Sequence, residues 1–193
     1  MRAIAVYCGA SHGVSPRYAQ AARELAAQLV DHHIPLVYGG GNVGLMGVIA
    51  DEVLRLGGDV TGVIPRALVE REVGHAGLTR LFVVKDMHER KAMMADLSDG
   101  FIAMPGGMGT LEELFEMLTW SQLGIHSKPV GLLNVDGFYD RLIDFVAHQR
   151  DEGFVRQQHA ALMMSESDPA ALVGRLQAAF AAVPPVHGNP DLR

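Results

Sequence analysis

A chain of 193 residues, 49% apolar and 20% charged, is long enough for one domain with a substantial buried core. Its formal net charge of -6 argues against a protein whose main task is to coat nucleic acid, which needs a basic face. Cys8 is the only cysteine, so no intramolecular disulfide can form, and a reducing, cytoplasmic setting without membrane attachment is expected.

The predicted elements alternate almost from end to end. AIAVYCGA (3–10) reads as a buried strand rather than a signal peptide, and PRYAQAARELAAQLVDHH (16–33) as a helix with Pro16 in its first turn. PLVYGGG (35–41) is a strand running into a glycine turn, and VGLMGVIADEVLRLGG (43–58) a helix ending on Gly57 and Gly58. DVTGVIP (59–65) and LFVVKD (81–86) are further strands, separated by a polar stretch with Glu70, Arg71 and Glu72. MHERKAMMADLS (87–98) predicts a helix and GFIAMP (100–105) a strand. MPGGMGTLEELFEM (104–117) is a glycine turn opening an acidic amphipathic helix, with Leu111, Leu114, Phe115 and Leu118 at helical spacing. PVGLLNV (129–135) is a strand and FYDRLIDFVAHQRDEG (138–153) a helix. ALMMSES (161–167) and DPAALVGRLQAAF (168–180) supply a short last strand and a closing helix.

Strands that are continuous apolar runs are buried on both faces, the habit of a parallel sheet between helices. The expected fold is therefore α/β: a doubly wound, Rossmann-like parallel sheet of about six or seven strands with helices on both faces. Residues 1–182 read as a single nucleotide-binding domain and 183–193 as a Pro-rich tail. Ligands of such sheets bind at the carboxyl ends of the strands, where both glycine turns fall.

Gly39, Gly41 and Gly44 match the G-x-G-x-x-G spacing, but after the second strand, where a dinucleotide fingerprint usually follows the first. The turn at Gly106, Gly107 and Gly109 is more informative. Glycines ahead of a helix let a phosphate approach main-chain N–H groups that have no intrahelical partner. Thr110 reads as the N-cap, and Glu113 three residues on completes a capping box, which needs no chemistry at all. Spacing alone favours the cap; the alternative is that Glu113 faces another part of a ligand whose phosphate sits at the turn. Asp86 and Glu89 form a second capping pair. Arg90, a turn before Met94, is either a snorkelling edge residue or points across the sheet toward the glycine turn, with Lys91 beside it. Cys8 reads as a small buried residue before it reads as a nucleophile. His88 has no second ligand at metal spacing, so no metal is expected. Trp120 is either packing or a wall for a flat ring.

PGGMGTLEE (105–113) and MHERK (87–91) together resemble the paired motifs of the LONELY GUY (LOG) family, and YGGGNVGLMG and WSQLGIHSKPVGLLNVDGFYD are similar to it as well. The resemblance runs to about residue 165. It implies a cytokinin riboside 5′-monophosphate phosphoribohydrolase, which cleaves an N6-modified adenosine monophosphate, or AMP itself, into free base and ribose 5-phosphate without a cofactor. It places the catalytic pair on Arg90 and Glu113. Its substrate contacts fall on Glu72, Arg90, Lys91, Gly106, Gly107, Met108, Gly109, Thr110, Leu111, Glu112 and Thr119. It also implies a homodimer with the site near the subunit interface, acting on a small nucleotide rather than on nucleic acid or membrane. The alternative from the residues alone is a non-catalytic nucleotide-binding or cofactor-carrier protein on the same fold.

Overall fold

A computed structural model of the chain describes residues 1–72 and 74–182, except for the side chains of residues 70–72. The expected tail, 183–193, lies outside the described residues. Strand β1 (Ile4–Tyr7) is buried along its whole length. Its odd and even residues serve opposite faces: Ile4 and Val6 join one core cluster, Ala5 and Tyr7 the other. Around it lie β2 (Leu36–Tyr38), β3 (Val60–Pro65), β4 (Arg80–Val84), β5 (Gly100–Ala103), β6 (Val130–Leu133) and β7 (Met163–Glu166). The sheet order is β4-β3-β2-β1-β5-β6-β7, and every pair is parallel. The continuous apolar runs thus form a sheet covered on both sides, as the sequence predicts, except at the edge strand β4, where Leu81, Phe82 and Val83 are exposed.

Helices α1 (Pro16–Asp31) and α2 (Gly44–Arg55) cover one face with the closing helix, α8 (Pro169–Ala182). Leu25, Leu29, Ile49 and Leu172 are fully enclosed there. The other face is covered by α4 (Met87–Leu97), α5 (Met108–Gln122) and α6 (Asp140–Asp151), through Met94, Leu114, Met117, Leu142 and Ile143. Two short helices interrupt stretches expected as connections, α3 (Arg66–Glu72) after β3 and α7 (Gln157–Ala160) before β7. The chain runs outward from β1 through β2 and β3 to β4, then crosses back to β5 on the other side of β1, so the topological switch point lies between β1 and β5. There the carboxyl ends of the strands open a crevice.

At the opposite end of the sheet, His126 packs its ring against Phe101, centroids 5.3 Å apart, and its Nδ1 accepts the Lys128 N–H at 3.1 Å. Burial first, then the Lys128 charge, holds this imidazole down to about 4. An unfolded His titrates near 6.5, so between these values the unfolded chain binds more protons than the fold. Stability from His126 is therefore complete above pH ~6.5 and lost as the pH falls toward ~4. The expected result is an acid-side decline in Tm that is shallower, by a few degrees, in His126→Gln, measured by thermal melts across that window.

Candidate active site

The crevice is built from strand ends and the first turns of α2, α4 and α5. Asp86 caps α4, accepting the Glu89 N–H at 2.9 Å, while Glu89 reaches back to the Lys85 N–H at 2.6 Å. This is the expected capping pair with its return bond displaced by one residue. The cap fixes the first turn of α4, so Arg90 leaves the helix one turn in and runs beneath the strand ends. Its Nε–H donates to the Val63 carbonyl at 3.0 Å and its Nη2–H to the Gly39 carbonyl at 2.9 Å. The side chain is only 7% exposed, and Nη1 lies 3.9 Å from Glu113 Oε1, whose side chain is 12% exposed. Of the two orientations open to Arg90 in the sequence, the structure shows the one that crosses the sheet.

Helix α5 starts earlier than its sequence suggests. Gly107 is the N-cap, in extended conformation, and Leu111 N–H makes the first intrahelical bond, to Gly107 O at 3.2 Å. Thr110 is therefore a buried residue of the first turn and not the cap, and the Thr110–Glu113 capping box is absent. Glu113 sits a further turn along, on the cleft wall. The N–H groups of Met108, Gly109 and Thr110 precede the first helical bond and carry the positive end of the helix dipole.

The three glycines of the turn answer different demands. A Cβ on Gly106 would lie 2.1 Å from Thr110 Oγ1 and 2.9 Å from Gly9 N, so packing alone requires glycine there. A Cβ on Gly107 or Gly109 would meet nothing within 4 Å, and neither residue has a left-handed φ. Nothing in the described fold demands glycine at these two positions. What their bare backbone leaves is open space over the helix start.

A cleft of about 210 Å³ opens here, lined by Cys8, Ala10, Met46, Met87, Arg90, Gly107, Gly109, Thr110, Glu112 and Glu113. Burial, reinforced by the Glu113 charge, pushes the Cys8 thiol well up. A protonated thiol is a poor nucleophile, so Cys8 contributes shape. Met46, Met87 and Ala10 give the cleft apolar walls that sequence patterning did not single out, because each also fits its helix or strand as an ordinary packing residue.

Lys91 turns the other way. Its buried Nζ donates to Glu112 and, at 3.1 Å, to Glu116 Oε1, so three ion pairs link α4 to α5: Arg90–Glu113 in the cleft, and Lys91 with Glu112 at the cleft edge and with Glu116. Met108 is exposed at the rim, and Leu111 is half-buried. Thr119 is exposed on α5. At 1.5 Å per residue it lies roughly 15 Å along the helix from Gly109, away from this cleft. The Glu72 side chain lies outside those described. Two residues on, Gly74 pairs with Gly41, which brings that end of the chain to the glycine loop after β2. His88 is exposed, and Trp120 is half-buried at the edge of the core.

The family described as possible lysine decarboxylase matches residues 46–176 of this chain. The cytokinin riboside 5′-monophosphate phosphoribohydrolase LOG5 of Arabidopsis thaliana is 48% identical over 175 residues, 91% of this chain and 77% of the relative. LOG2 of the same plant is 50% identical over 176 residues, covering 91% and 83%, and the rice enzyme LOG is 49% identical, covering 91% and 73%. Among solved structures, the Moco carrier protein from Chlamydomonas reinhardtii aligns with a TM-score of 0.69 at 21% identity, over 93% of this chain and 98% of that one. The molybdenum cofactor binding protein of Rippkaea orientalis aligns at 0.68 and 20%, over 92% and 97%. These two likenesses speak for the fold alone. At close to half identity over nine-tenths of its length, the chain belongs to the LOG family of phosphoribohydrolases, within the broader group described as possible lysine decarboxylases.

Proposed function

We propose that the cleft hydrolyses the N-glycosidic bond of a nucleoside 5′-monophosphate of the cytokinin riboside or AMP type, releasing free base and ribose 5-phosphate. The observation that carries the site assignment is that Arg90 and Glu113 face one another beside a glycine-bare helix start. The phosphate sits against the N–H groups of Met108, Gly109 and Thr110, over the open backbone of Gly107 and Gly109. Glu113 stabilises positive charge developing on the sugar and takes a proton from the attacking water. Arg90, held by two main-chain carbonyls, orients phosphate or ribose without reorganising during the reaction. Water adds to the anomeric carbon, and the base leaves with the bonding pair and acquires a proton. Lys91 and Glu112 act at the edge of this site, holding the two helix starts together.

Anchoring at the phosphate makes it a source of remote binding energy for the reacting bond. The expected result is base release from AMP and from isopentenyladenosine monophosphate, with kcat/KM at least ~100-fold lower for the matching nucleosides. Chromatography of the reaction mixtures measures it. Measurable AMP binding with no base released from either monophosphate would favour a carrier instead.

We propose further that residues 1–182 act as this single hydrolase domain in the cytoplasm, as a homodimer. A cleft of about 210 Å³ is below the ~300–1,000 Å³ usual for ligand sites, which fits a site completed by a second chain. The outward stripe of α5 carries Met108, Phe115 and Thr119, with Phe115 37% exposed. A second copy on that stripe would cover the exposed apolar groups and bring its own Thr119 toward this chain's site. Phe115→Asp is expected to shift the protein to monomer in sedimentation velocity and to lower turnover at least ~10-fold. A Phe115→Asp protein that remains dimeric removes the stripe from the interface.

A further inference from the structure

Gly39 belongs to the G-x-G-x-x-G match at residues 39–44, whose spacing suggests a nucleotide cradle, yet the structure gives it a different neighbour. A Cβ built on Gly39 would stand 1.9 Å from Arg90 Nη2 and 3.1 Å from its Cζ. The Met46 sulfur, 3.2 Å from the same point, closes the other side. The Gly39 carbonyl meanwhile accepts the Nη2–H bond at 2.9 Å, so the tip of the guanidinium sits against the peptide of a residue with no side chain. Gly39 has no left-handed φ, so no backbone strain explains its identity. Gly44, the last glycine of the match, answers to the main chain instead: it has φ +57°, and a Cβ there would meet Ala10 C and Ser11 N at 2.3 Å.

We infer that Gly39 is a positioning residue for Arg90: its missing side chain is the slot that sets the guanidinium against Glu113. The inference rests on the reading of Arg90 as the catalytic arginine. An alanine at position 39 conflicts with the far end of a long side chain and not with backbone, so the fold absorbs it by letting Arg90 move. The same movement withdraws Nη1 from its place 3.9 Å from Glu113. Stability and catalysis therefore separate at this residue. A displacement on the scale of 1 Å is enough to lower a positioned reaction about 100-fold.

The test compares Gly39→Ala, Arg90→Ala and the double variant, with Gly174→Ala as a control. Gly174 is an exposed glycine of α8 whose added Cβ meets nothing within 4 Å. Each protein is assayed for base release from AMP and melted. The expected Gly39→Ala protein keeps its Tm within about 2 °C and its KM within a few-fold, and loses about 100-fold in kcat. In the Arg90→Ala background the same change alters residual turnover less than about twofold and raises Tm, since its methyl then enters vacated space. Gly174→Ala turns over as the unaltered protein. Full turnover in Gly39→Ala, or an equal loss in both backgrounds, overturns the inference. Full turnover in Arg90→Ala overturns the reading of Arg90 on which it rests, and the single variants show which of the two has failed.

Discussion

Glu113→Gln is expected to lower base release from AMP by about a thousandfold or more while moving Tm by no more than about 3 °C. The substitution keeps the shape of the side chain and removes its charge and its capacity to accept a proton. Both are what the proposed reaction uses, one for the cationic sugar and one for the attacking water. The small stability change follows from where α5 begins. With Gly107 as the cap and Leu111 N–H making the first helical bond, Glu113 stands beyond the reach of a capping role. Its partner in the cleft does not depend on it for solvation, because the Arg90 guanidinium already donates to two main-chain carbonyls. The outcome against this account is a variant that loses many degrees of Tm and retains turnover. Steady-state assays and melts on one preparation decide it.

The fold was legible because strand and helix signals were long and mutually consistent. The central strands coincide with continuous apolar runs buried on both faces, from which parallel pairing follows, while the edge strands β4 and β7 are less buried. Helix α3 was not legible. RALVERE follows Pro65 directly, with no connecting loop and only seven residues in which a helical period could show. At α5 the spacing Thr110-x-x-Glu113 imitates a capping box, and glycine's poor helix propensity argues for starting the helix after Gly109. The structure starts it at Met108, one residue before Gly109, with Gly107 as the cap. The helix there is held by Leu114 and Met117 packing on the sheet, a tertiary term that local propensity does not contain.

The site was legible as two motifs and illegible as a geometry. Sequence spacing alone left Arg90 free to point outward or inward. What selects the inward direction is the Val63 carbonyl on β3 and the Gly39 carbonyl after β2, 27 and 51 residues away, the second belonging to a residue that lacks a Cβ. Lys91, adjacent in sequence, leaves the same helix toward Glu112 and Glu116 instead. Two neighbouring cations with different partners cannot be told apart by composition, and only the register of α4 against α5 separates them.

Arg90→Lys is expected to be nearly as inactive as Arg90→Ala, with kcat/KM down about 100- to 1,000-fold, although the charge is preserved. The reason is the number of directions in which the guanidinium acts at once. Nε donates to Val63 O, Nη2 donates to Gly39 O, and Nη1 donates to the Met87 sulfur at 3.7 Å and lies 3.9 Å from Glu113. An ammonium group is a single point on a flexible stem. It can take one carbonyl and stay buried, or reach into the cleft and leave the carbonyls, but it cannot hold the planar fork that fixes Nη1 in space. If Arg90 supplied charge alone, lysine would restore most of the rate. If it supplies a positioned donor, the missing group can be returned only in its own shape. Free guanidinium ion added to Arg90→Ala should therefore raise base release several-fold, and ammonium at the same ionic strength should not. Equal rescue by both cations, or a lysine variant within about threefold of the unaltered protein, would mean that charge and not geometry is what Arg90 contributes.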